Sequence, residues 1–150
     1  MDIIPNLRIA RSGFDYQKAA EVLEDSGLLW PAAINAALAI EMYLKSFLAK
    51  DTWKDYHSGG KYKTYEASEH GHILTKLFNK IPKIHRDELL NQVSTISPET
   101  DLNALLEKYK DVFFNARYSH EENALRIVDS GIIRLAQVLK QAIKNLTTPI

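Results

Sequence analysis

Apolar residues recur at helical spacing through most of the chain. In residues 14–25 the apolar side chains share one face, and Gly27 follows as a stop signal. From Pro31 to Lys50, apolar residues with many alanines among them occupy nearly every face. That pattern is typical of a helix at the centre of a bundle, and alanines let neighbouring helices approach closely.

The second half of the chain continues the helical pattern. It predicts short helices over 72–80 and 83–95, separated by Pro82, and a further helix with Asp101 as its N-cap. The last helix is predicted over about 122–145. No strand pattern competes, so we expect an all-α fold, an antiparallel four- to five-helix bundle. The predicted core includes Ile34, Leu38, Leu44, Leu48, Tyr109, Phe113, Ile127, Leu135 and Val138.

Residues 51–71 interrupt this pattern and are predicted to form a long loop. Gly59-Gly60 marks a turn, and a loop this long in a small domain is either functional or disordered. Aromatic residues alternate with lysines there, as in single-strand binding surfaces. Four acidic residues outnumber the three lysines, however, which favours a packing or partner-contact loop. The aromatic residues are Trp53, Tyr56, Tyr62 and Tyr65.

Composition narrows the class of protein. A chain of 150 residues predicts one domain over 1–150, with its core at about 14–145. The absence of Cys excludes disulfides and thiolate chemistry. Lys+Arg and Asp+Glu are 19 each, which gives no support to duplex DNA binding. The most apolar stretch, Leu28–Leu48, contains a proline and charged residues, so we expect a buried core helix and no membrane segment. We also expect a cytoplasmic protein with no cofactor.

A histidine pair is the only candidate metal site in the sequence. His70 and His72 with Glu69 could ligate a metal if the backbone is extended, but no matching carboxylate–histidine pair occurs on a helix. The alternative is a solvated loop with His72 near the N-cap of the next helix. We therefore expect no metal.

Glu41 and Lys45 lie one turn apart on the central helix. One interpretation is a stabilising surface pair worth a few tenths of a kcal/mol. The other follows from how apolar this helix is, because a buried carboxylate needs a cation or several hydrogen-bond donors. Arg117, from another helix, is the candidate cation.

Residues 113–121 carry the most polar chemistry, with Arg117, Tyr118, His120 and Glu121 close to the start of the last helix. A helix N-terminus attracts anions, Arg can hold a phosphate through two hydrogen bonds, and His exchanges a proton near neutral pH. The alternative is an interhelical cap built on an Arg–Glu pair.

Three motifs together resemble the HEPN family. They are A-x-x-x-E-x-x-x-K at Ala37–Lys45, H-x-L-x-x-L-F at His72–Phe78 and F-x-x-R-Y-x-x-E at Phe114–Glu121, the last typical of one prokaryotic branch. Their order and spacing agree over about residues 14–145. The resemblance implies a helical module linked to nucleotide and RNA chemistry, acting as a homodimer.

Within that resemblance, Arg117 would clamp an anion, Glu41 and Lys45 would belong to the same ligand-binding site, and Tyr118 and Glu121 would complete it. Family members that cut RNA without metal carry His four to six residues after the Arg. Here His120 follows Arg117 too closely. We therefore expect a non-catalytic module that binds a nucleotide or RNA, or that partners a nucleotidyltransferase in a toxin–antitoxin or defence system.

Two alternatives remain. One is a metal-independent ribonuclease in which Arg117 and His120 are catalytic. The other is a protein-interaction module that uses the 51–71 segment as its contact surface.

Overall fold

The helical bundle predicted from the pattern is confirmed. The computed structural model describes residues 4–55, 59–67, 72–113 and 129–147, with backbone alone at 50–55 and 61–67. Its elements are α1 (Leu7–Asp25), α2 (Leu29–Lys45), β1 (Ala49–Asp55), β2 (Lys61–Ala67), α3 (Leu74–Lys80), α4 (Lys83–Ile96), α5 (Leu102–Tyr109) and α6 (Gly131–Thr147).

Helices α1 and α2 form the most closely packed pair. Asn6 caps α1 by accepting a hydrogen bond from the backbone N–H of Ile9 at 3.1 Å. Gly27 lies in the connection between α1 and α2, and its φ of 78° is in the left-handed region that favours glycine. At the crossing, Gly13 lies against the Tyr43 ring and the Ala39 carbonyl, where a Cβ would overlap the ring. Small residues therefore let the two helices approach closely, as the alanine content of α2 predicted.

Helix α6 closes the bundle by packing against α1, α2 and α4. Its Ile132, Ile133 and Leu139 are fully buried. A hydrogen-bonded network links α6 to α1 and α2: the Tyr43 hydroxyl donates to Gln17 Oε1 at 2.6 Å, and Glu21 Oε1 accepts from Gln17 and Gln137. Every member of this network has a partner, as buried polar groups require.

Residues 51–71 are where the structure departs most from the sequence prediction. Instead of a loop, β1 and β2 form an antiparallel hairpin, paired from Ala49↔Ala67 to Asp55↔Lys61. Gly59 and Gly60, at φ 89° and 84° in the connection between the strands, adopt the left-handed backbone that favours glycine, so the turn signal was correct although the strands were not expected. Among the described elements, the hairpin makes extended contact only between its own strands.

Most of the predicted core is confirmed. Leu44, Leu48, Tyr109 and Leu135 are buried, while Ile34, Phe113 and Val138 are partly buried against the core. The prediction that Leu38 belongs to the core is wrong, because Leu38 is only partly buried and lies outside the core cluster. Ile127 lies outside the described residues.

Helix boundaries also differ from the predictions at both ends of the chain. The first helix begins at Leu7 rather than at residue 14. Of the predicted last helix, 122–145, residues 129–130 are not helical and α6 begins at Gly131. Residues 122–128 lie outside the described residues. In the described parts of the chain, none of the helices is both long and apolar enough to cross a membrane.

Candidate functional site

The candidate site is built around a buried carboxylate on α2. Glu41 lies one turn before the end of that helix and is 2% exposed. An isolated charge in such a position would be strongly disfavoured, so the carboxylate must be paired and hydrogen bonded.

Two nitrogen donors meet this carboxylate. Lys45 Nζ lies 2.7 Å from Glu41 Oε1, with the lysine side chain 12% exposed. His72 Nδ1 lies 2.8 Å from Oε1 and 3.0 Å from Oε2. The predicted pair of Glu41 and Lys45 is therefore present, with Glu41 buried and Lys45 partly buried rather than exposed on the surface.

His72 lies 31 residues after Glu41 in the sequence, and the hairpin lies between them along the chain. It stands directly before Ile73, the N-cap of α3, as the sequence predicted. A carboxylate has only acceptor atoms, so His72 Nδ1 must carry the hydrogen. Glu41 thus fixes the tautomer and the orientation of an imidazole whose side chain is 40% exposed.

An aromatic ring covers this imidazole. Phe113 stacks on His72 with 4.3 Å between ring centroids and 27° between ring planes. Phe113 is also the last described residue before the segment that carries Arg117. The chain therefore enters that segment directly from the edge of the Glu41–His72 pair.

The remaining predicted site residues, Arg117, Tyr118, His120 and Glu121, lie outside the described residues. The nearness of Arg117 to Glu41 stays a prediction. Glu41 has hydrogen-bond partners other than Arg117, since Lys45 and His72 both contact its carboxylate. Glu69 and His70 also lie outside, and the described residues contain no cluster of side chains that could hold a metal ion.

A second polar cluster lies in a surface groove of about 620 Å³ between the start of α6 and the α4–α5 turn. The Asp129 carboxylate accepts hydrogen bonds from the Tyr109 hydroxyl at 2.5 Å, from Lys108 Nζ at 2.9 Å and from the Gly131 N–H at 2.9 Å. The Tyr109 hydrogen bond is the main cause that lowers the pKa of Asp129. Asp129 thus occupies the position that an anion would take at this helix N-terminus.

The sequence indicated each half of the Glu41–His72 pair but not the pair itself. Both residues belong to the motifs that resemble the HEPN family, and no spacing rule connects residues so far apart. Comparison of the chain with family models, with curated proteins and with solved structures gives no match.

Proposed function

We propose that this chain is a cytoplasmic HEPN-like module that binds a nucleotide or RNA without cleaving it. The observation that carries the proposal is the buried Glu41 carboxylate, held by Lys45 and by a His72 imidazole on which Phe113 stacks. Two motifs of the resemblance thus meet in space, and the third begins at the next residue. Its partners, in this proposal, are a second copy of the chain and a nucleotidyltransferase.

Each member of the site has a distinct part in this function. Glu41 holds the Lys45 and Arg117 side chains in place, and Lys45 contributes positive charge near the ligand. Arg117 is the anion clamp, because its planar guanidinium can donate two hydrogen bonds to one phosphate. Tyr118 stacks against the ligand or packs beside it, and Glu121 completes the polar site.

The first test measures binding by fluorescence anisotropy with a labelled single-stranded RNA and, separately, a labelled adenine nucleotide. Arg117→Ala should weaken binding by roughly ten- to a hundredfold, the effect of losing a charge-assisted hydrogen bond. Arg8→Ala is the matched control, because Arg8 is an exposed arginine on α1. Equal loss in both variants, or no binding by the wild type, would contradict the proposal.

The ribonuclease alternative is tested with the same proteins. RNA is incubated with wild type, Arg117→Ala and His120→Ala in the presence of a metal chelator. The proposal expects intact RNA in every sample and nearly unchanged binding by His120→Ala. Cleavage by the wild type that disappears in His120→Ala would replace the binding module with a metal-independent nuclease.

A further inference from the structure

The hairpin has two open edges in the part of the chain that the structure describes. β1 and β2 pair only with each other, over seven residues of each strand. An isolated two-stranded hairpin is marginally stable, and an unpaired edge is a template for another strand. Ala49, at the base of β1, is buried, so the hairpin is anchored at one end.

The two edges differ in how they would accept a second copy of the chain. When two identical strands pair antiparallel around a two-fold axis, the central residue lies opposite its own copy. A residue before the centre lies opposite the residue equally far after the centre in the second copy. Pairing β1 with itself over its full length centres on Thr52 and sets Lys50 opposite Lys54 of the second copy. Like charges directly opposite are destabilising, so the β1 edge disfavours this pairing.

The β2 edge has no such conflict. Full-length pairing of β2 with itself centres on Thr64 and sets Lys63 opposite Tyr65, Tyr62 opposite Glu66, and Lys61 opposite Ala67. A shift that sets Lys63 opposite its own copy would bring like charges together. Lys63 therefore disfavours that shift of register, and the charges of β2 permit the full-length pairing.

We propose that β2 is the interface of a homodimer, in which the two hairpins join through Thr64-centred antiparallel pairing into one four-stranded sheet. This inference rests on the homodimer of the proposed function but not on ligand binding. It assigns the 51–71 segment to self-association, by backbone hydrogen bonds between edge strands.

The test compares two variants that alter the same pair of the hairpin. Thr52 and Thr64 are partners within one chain, so Thr52→Lys and Thr64→Lys place the same charge at the same level of the ribbon. Only Thr64→Lys sets two introduced lysines opposite each other at the two-fold axis. Sedimentation velocity over a concentration series should show wild-type dimers of twice the 17.1 kDa chain. Thr64→Lys should weaken the dimer roughly tenfold or more, and Thr52→Lys far less.

Charge rescue adds a second readout. Thr64→Lys mixed with Thr64→Glu should restore the dimer, because opposite charges then meet at the axis. Far-UV circular dichroism checks that the helices persist in each variant. A monomeric wild type would overturn both the homodimer and its interface. A dimer that survives Thr64→Lys, or that Thr52→Lys disrupts equally, would overturn the β2 interface and leave the homodimer and the ligand-binding proposal standing.

Discussion

The two sides of α2 treat buried polar groups differently. Tyr43 and Glu41 are two residues apart, about 200° around the helix, and are 1% and 2% exposed. The Tyr43 hydroxyl donates a hydrogen bond to the neutral Gln17 amide between α1 and α2, and burial raises the pKa of Tyr43. Glu41 instead holds the charged Lys45 and the half-exposed His72. On the α1-facing side the buried group thus meets a neutral amide, with the Glu21 carboxylate one hydrogen bond further away, whereas on the other side the buried group is itself a charged carboxylate.

A leucine pair gives the largest expected contrast between a buried and a partly exposed position on α2. Leu44 is fully buried, so Leu44→Ala should lower the free energy of unfolding by about 2–5 kcal/mol through lost contacts and a cavity. Leu38 is partly buried beside the Glu41 side, and Leu38→Ala should cost roughly 1 kcal/mol. Urea denaturation of both variants measures the difference. Equal costs would mean that Leu38 is packed as tightly as Leu44.

A double-mutant cycle on the charged pair gives the next largest effect. Glu41→Gln leaves Lys45 in a nearly buried position without its counterion, and should cost about 1–3 kcal/mol. Lys45→Gln removes the other partner at a similar cost. The double variant should lose less than the sum of the two, because the second change no longer leaves an unpaired charge. Additive losses in urea denaturation would show that the pair is not coupled. Tyr43→Phe, on the α1-facing side of α2, is the control. It should change stability without changing ligand binding in the fluorescence anisotropy assay.

The helices that bury large apolar residues could be predicted from the sequence. Residues 72–80, 83–95 and the Asp101 cap agree closely with α3, α4 and α5. The first turns of α1 were missed because they bury small residues, Ala10 and Gly13, which give a weak apolar pattern. Gly13 within a helix also reads as a break, although here it permits the close crossing with α2.

The hairpin and the site required information that local patterns do not carry. The hairpin lacks apolar alternation, and it makes extended contact with no other described element, so no apolar face had to be encoded. The His72–Glu41 pair depends on where the chain returns after this hairpin. A buried carboxylate could be predicted from the apolar helix around it, whereas the identity of its second donor could not.

The smallest expected effect is a pH dependence on the α1 side of the comparison. The hydrogen bond from Gln17 is the main cause that lowers the pKa of the Glu21 carboxyl below its ordinary value of 4.5. A carboxyl whose pKa is lower in the folded state stabilises the fold above the pKa of the unfolded chain, and this contribution is lost as the pH falls through the folded value. The wild type should therefore exceed Glu21→Gln in stability near neutral pH, by less than about 1 kcal/mol because Glu21 is partly exposed. The difference should shrink below pH 4.5. Urea denaturation at a series of pH values measures it, and carboxyl NMR titration gives an independent readout. Gln17→Ala should move the Glu21 titration upward. A titration of Glu21 that does not respond to the loss of Gln17 would mean that the network holds α1 and α2 together without tuning this carboxyl.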